Sequence, residues 1–126
     1  MYQVHENCLV TEHGAVEFRN RIKKVLEWRD IVIVRLEIMG DTEDNDNVYG
    51  IKDGKIIWRV QPQYEFKPYI WSAGFTPLGQ SKGNPYGGID IYSKDPALII
   101  ATDVAGFRYL IDPATGKIVG EESWVK

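Results

Sequence analysis

Two short turns decide most of what this chain can become. The first is Lys52-Asp53-Gly54-Lys55, set between Val48-Tyr49-Gly50-Ile51 and Ile56-Ile57-Trp58-Arg59-Val60. Asp and Gly tolerate the positive φ angles of a two-residue hairpin turn, and both flanking runs are rich in β-branched and aromatic residues, so the segment reads as an antiparallel hairpin. The second is Asp112-Pro113-Ala114-Thr115-Gly116-Lys117, between Phe107-Arg108-Tyr109-Leu110-Ile111 and Ile118-Val119. Aligned on these turns, Tyr49 matches Tyr109, Ile51 matches Ile111, and Gly54-Lys55-Ile56-Ile57 matches Gly116-Lys117-Ile118-Val119. The second turn is longer by Pro113-Ala114-Thr115 against the single Asp53. A unit that recurs in order predicts two copies of one supersecondary block.

Each hairpin is preceded by a second β-rich pair. Ile31 to Met39 opens on four β-branched residues and then alternates, and Ile22 to Met39 together supply a strand pair for the first copy. Ile89-Asp90-Ile91-Tyr92 and Leu98 to Thr102 supply it for the second. Between the pairs of the first copy, Gly40 to Asn47 has no apolar residue to bury and reads as a solvated connection. Residues 15–29 admit two readings. Ala15, Phe18, Ile22, Val25 and Leu26 share a helical face, whereas Ile22, Lys24, Leu26 and Trp28 alternate as in a strand. The repeat favours the strand, and a short N-terminal helix is the alternative. A chain of 126 residues is one ordinary domain over 1–126. The expected fold is all-β: an antiparallel meander of two four-stranded, propeller-blade-like units, closed as a sandwich or partly open barrel.

The run from Asn47 to Trp58 resembles the outer hairpin of a propeller blade of the pyrroloquinoline-quinone-dehydrogenase type. Tyr109 to Val119 is similar to the same hairpin in its aspartate, turn, Thr-Gly-Lys form. The resemblance implies blade-like meanders and no more. A ring needs about four blades to close, and this chain has length for two or three. No quinone site carries over, because a full ring of blades assembles it, and Gly120 stands where the first copy has Trp58. The pattern is also similar to small bacterial proteins of unassigned function.

Charge and composition narrow the function classes. With 15 Lys+Arg against 18 Asp+Glu the net charge is -3, which provides no global field for nucleic acid. The longest apolar run, Ile31 to Val34, is far short of a membrane span. Cys8 is the only cysteine, so no intrachain disulfide forms. A reducing, cytoplasmic setting fits that usage, and the N-terminus lacks a basic start followed by an apolar run.

No motif carries catalysis. Gly79-Gln80-Ser81-Lys82-Gly83 matches G-x-S-x-G, but the strand before it and the helix after it that a nucleophile elbow needs are not signalled. Asp41, Glu43, Asp44 and Asp46 miss the calcium-loop pattern, with Asp46 and Lys52 where Gly and Glu are required. His5, Cys8, Glu12 and His13 can each ligate metal, though their spacing fits no finger or ribbon. Arg19, Arg21, Lys23, Lys24 and Arg29 form a basic stretch, interleaved with acids, that reads as a solvated face or as half of an interface with an acidic partner. The Pro- and aromatic-rich segment 61–88 is the strongest lead. Stiffened rings lose little entropy on binding, which makes Tyr64, Tyr69, Trp71 and Tyr86 candidate anchors. The competing reading places Trp58, Trp71 and Phe75 in the core. The expectation is therefore a non-enzymatic binding or protein-interaction module, without cofactor or metal, that engages a protein partner or a second copy of itself as a homodimer. A toxin-immunity protein is one version. The alternative is a metal-dependent enzyme or metal binder built on His5, Cys8 and His13.

Overall fold

The structure, a computed structural model, describes residues 2–67 and 83–122. Among the described residues, eleven strands form three antiparallel sheets. The first holds β1 (Tyr2–His5), β2 (Cys8–Thr11) and β3 (Gly14–Glu17). The second is the meander β4 (Ile22–Trp28), β5 (Ile31–Leu36), β6 (Val48–Lys52) and β7 (Lys55–Arg59). The third is the meander β8 (Tyr86–Ile91), β9 (Ile99–Asp103), β10 (Arg108–Ile111) and β11 (Ile118–Glu122). One short helix, α1 (Gln63–Phe66), follows β7.

The two copies read from the turns are thus two four-stranded sheets. Residues 15–29 form the end of β3, a short connection and β4, so the N-terminal helix is not formed. The strand wins because Leu26 and Trp28 pack against one layer while Ile22 and Val25 pack against another, which a helix with a single apolar face cannot do. The three-stranded N-terminal sheet has no counterpart in the repeat.

The second sheet is the middle of a sandwich-like stack, and none of the sheets closes into a barrel. Its Ile31, Ile33, Val48 and Trp58, with Val60 just after β7, meet Tyr86, Ile89, Ile99, Tyr109, Ile111 and Ile118 of the third sheet. From its other face, Val34, Leu36 and Ile51 meet Leu9 and Phe18. This explains the nearly continuous apolar run of β5, since a strand covered on both faces has no polar side to alternate with.

All four edge strands of the two larger sheets carry a one-residue bulge. The extra residue is Lys23 in β4, Ile57 in β7, Gly87 in β8 and Val119 in β11. Ile57 and Val119 are equivalent positions of the sequence repeat, so the copies share their irregularities as well as their strands. Bulges bend an edge and break its ladder, which blunts it against pairing with another chain.

Trp58 is one of the side chains that join the two copies. Trp58 lies opposite Gly50, and a Cβ at Gly50 would stand 2.3 Å from its ring. A Cβ at Gly116, in the long turn of the second copy, would stand 2.6 Å from the same ring. Trp58 Nε1 donates to Pro113 O at 2.9 Å. In the second copy the size order of the pair is reversed, with Leu110 opposite Gly120. The missing tryptophan is therefore not a defect of the repeat: each copy fills the same cross-strand site with one large and one small residue.

The short turn behaves as its residues dictate. Asp53 and Gly54 have φ of 52° and 74°, the signs a type I′ turn needs. A Cβ at Gly54 would also lie 2.9 Å from the backbone of His13, because this turn packs on the β2–β3 turn. Gly54→Val is expected to destabilise the fold by about 1 kcal/mol or more. Thermal unfolding of the variant checks this, and an unchanged midpoint refutes the packing of the two turns.

Candidate functional site

The lead segment 61–88 leaves β7 and returns as β8, and the described residues at its two ends are tied to the body by side-chain amides. At the exit, Asn47 Oδ1 accepts from Tyr86 N at 2.8 Å, while its Nδ2 donates to Tyr86 O at 3.0 Å and Leu36 O at 2.9 Å. The Gln63 carboxamide pairs in the same two-way fashion with Asn84, at 3.0 Å in each direction. Asn45 Nδ2 donates to Gly83 O at 3.2 Å. At the entry, Gln61 N donates to Gly116 O at 2.9 Å and Gln61 Oε1 accepts from Ile118 N at 3.0 Å. Lys67 forms an ion pair with Glu121, and the Phe66 ring packs edge-on against Tyr109. A carboxamide matches the donor and acceptor of a peptide, so Asn47 and Gln63 bond to the chain as a neighbouring peptide would.

The candidate anchors divide. Tyr64 sits on α1 and is 37% exposed. Tyr69 and Trp71 lie outside the described residues, as do the strand expected over 69–75 and residues 79–82 of the G-x-S-x-G match. Tyr86 is the correction. It is 0% exposed, its ring edge-on to Tyr109 at 6.0 Å, so it is a core residue and offers no surface to a partner. Its place at the start of β8, on the face with Ile89, commits it to the interior. Trp58 takes the core role expected for it.

Around Tyr86 the interior is polar. The Tyr86 hydroxyl lies beside Gln63 without a well-formed hydrogen bond, and burial raises its pKa well above the usual tyrosine range. Asn84 Oδ1 and Nδ2, Asp103 Oδ2 and Asn45 Oδ1 are also buried without partners. Burial pushes the Asp103 carboxyl up to about 6, although its Oδ1 accepts from Ala105 N at 2.9 Å and Phe107 N at 3.0 Å. Asp46 is also pushed up to about 6 by burial, with nearby Arg59 opposing the shift and Glu65 adding to it.

The polar run 40–47 is more than a solvated connection. Asp44 is 1% exposed and Asn47 2% exposed. Burial alone would raise Asp44, but N–H groups of Met39, Gly40 and Asp41, joined by Asn20, outweigh it and hold the carboxyl below its usual range. That carboxylate is spent on its own loop rather than on calcium. The sequence flagged Asp44 only as a calcium candidate and Asn47 not at all, because the backbone partners of Asn47 and the Asn20 amide on Asp44 are brought near only by the fold.

The metal alternative loses its geometry. His5 pairs in register with Cys8 at the β1–β2 turn, whereas His13 lies in the turn at the far end of β2. At about 3.3 Å per residue these positions stand well over 10 Å apart. His13 borders a polar cleft of ≈ 210 Å³ between the β2–β3, β4–β5 and β6–β7 turns, 3.8 Å from Asp53 and 3.9 Å from Glu12. Among the described residues, no group of three or more His, Cys, Asp or Glu is placed to hold a metal ion. Among them, too, no helix is long and apolar enough to cross a membrane.

Comparisons with curated proteins and with solved structures found no match. One family model, described as Domain of unknown function (DUF7957), matches residues 1–123, nearly the whole chain. By that match, and with the three-sheet fold just described, the chain belongs to the DUF7957 family.

Proposed function

We propose that this chain is a non-enzymatic binding or protein-interaction module whose contact surface is carried by the segment between β7 and β8. The observation that supports it is the two-ended tether. Asn45, Asn47 and Gln63 hold one end, and Gln61, Phe66 and Lys67 hold the other, so both described ends of the connection are fixed to the body. Fixing the ends of a contact segment lowers the entropic cost of association. Tyr64, Tyr69 and Trp71 are the anchors in this reading, and Tyr86 is not. The occupant is a protein, a toxin in the immunity version, and the setting is the cytoplasm. The likeness to blade hairpins concerns the scaffold and assigns no ligand. Self-pairing along β11 is disfavoured, because the bulge at Val119 breaks the regular edge it would need.

Affinity capture from the native cell tests the reading, with wild type and a Tyr64→Ser/Tyr69→Ser/Trp71→Ser variant run side by side. The expected result is one partner retained by wild type and lost by a variant of unchanged melting temperature. A variant that unfolds assigns those rings to the core and overturns the proposal.

A further inference from the structure

The basic stretch of β4 has one feature that its salt bridges leave over. Arg19 is paired with Asp41 and Glu43, and Arg21 with Glu6. Arg29 stacks over Trp28 at 4.4 Å. Lys24 is different. It stands directly opposite Arg35 in the β4–β5 register, so the two side chains leave the same face of the middle sheet as like-charged neighbours. That face is the one turned towards the third sheet, since Leu26 and Trp28 of β4 and Ile31 and Ile33 of β5 pack there.

Arg35 is part-buried, and among the described residues neither it nor Lys24 has an acidic group within ion-pair distance. One guanidinium nitrogen reaches only Tyr86 O, at 3.5 Å, and the shielded Nε–H has no acceptor. The nearby start of β8 is Tyr86-Gly87-Gly88, without a carboxylate. Two adjacent cations, one of them withdrawn from water, are costly unless something neutralises them. The cross-strand neighbour of Arg35 on its other side is Val48, which brings no charge.

The geometry points to a binding site for a small oxyanion, a carboxylate or phosphate group, held between Lys24 and Arg35 at the β4 margin of the middle sheet. A guanidinium offers such a group paired N–H donors, and the lysine ammonium adds a second charge from solvent. The site is independent of the contact surface proposed above, because it uses no residue of the β7–β8 connection.

Thermal unfolding of the full chain at constant ionic strength tests it, with chloride alone, inorganic phosphate or succinate as the added anion. A saturable rise of a few degrees is expected with the anion that fits. Phosphate without succinate identifies a phosphate group as the ligand, and the reverse identifies a carboxylate. The rise is expected to vanish in Arg35→Met and to need about tenfold more anion in Lys24→Met, a surface change that leaves the core intact. Lys23→Met, at the neighbouring bulge, should respond as wild type does. No rise with either anion overturns the site, and so does a rise that survives both variants. A fall in stability of Arg35→Met together with a changed titration of Asp103 would show instead that Arg35 is neutralised within the fold, and that too overturns it.

Discussion

Trp58→Ala is expected to cost about 4 kcal/mol, the largest effect of any single substitution considered. Truncating a buried aromatic ring generally costs about 3–5 kcal/mol, and the upper part applies when the surroundings cannot collapse into the space. Here they cannot. The ring is 7% exposed and is flanked by Gly50 and Gly116, which have no side chains to move. Its loss also strips Pro113 O of the Nε1 donor at 2.9 Å. The damage should be global, since the ring belongs to one copy and its hydrogen bond to the other. Urea unfolding gives the measure, with a fall of roughly 15 °C in melting temperature expected alongside. Gly116→Ala approaches the contact from the opposite side: it adds a methyl 2.6 Å from the ring at a residue with φ of 77°. It should cost about 2 kcal/mol through overpacking and backbone strain. A loss below about 1 kcal/mol for Trp58→Ala would mean the two copies are not joined through this ring.

The second large effect is on pH. A carboxyl raised from 3.8 to about 6 binds its proton more tightly in the folded chain than in the unfolded one. The associated stability is fully present below about 3.8 and is lost as pH rises through about 6. For Asp103, 3% exposed, a rise of about two units corresponds to roughly 3 kcal/mol. Asp46 adds in the same direction, by less, because it is only part-buried and Arg59 stands near. Lowered groups act the other way. Asp44, held down by its backbone donors, and Glu122, held down first by Tyr92 and then by Arg108, lose their contribution as pH falls below the usual carboxylate range. Maximum stability is therefore expected at about pH 4–5 rather than near neutrality. Asp103→Asn isolates the effect. The carboxamide keeps an oxygen for Ala105 N and Phe107 N and does not titrate. The variant should melt higher than wild type at pH 7.5, with the gap closing near pH 4.5. A wild type whose melting temperature climbs between those two values would refute the assignment.

What could be read without coordinates was whatever the chain encodes over a few residues. Asp53-Gly54 names its own turn because only certain residues accept φ above zero, and its partial recurrence at Asp112 to Gly116 names the second copy. The strand pairs followed from β-branched runs of the right length. The same local logic left residues 15–29 open, because the helical and strand periods of that stretch are both satisfied by Ile22 and Leu26. Only the layers on either side of β4 settle it. The aromatic segment could be flagged but not divided. Tyr64 and Tyr86 look alike in sequence, and which ring is buried depends on whether its strand faces another sheet.

The sequence by itself determined the repeat, the hairpin turns and the all-β class, since each rests on conformational preferences within a few residues. Only the tertiary structure decided that Trp58 is shared between the copies, that Asp44 and Asn47 are buried, and that His5 and His13 lie apart. It alone also placed Lys24 beside Arg35 with no counter-charge among the described residues. These features depend on burial and on strand register, which no local pattern carries.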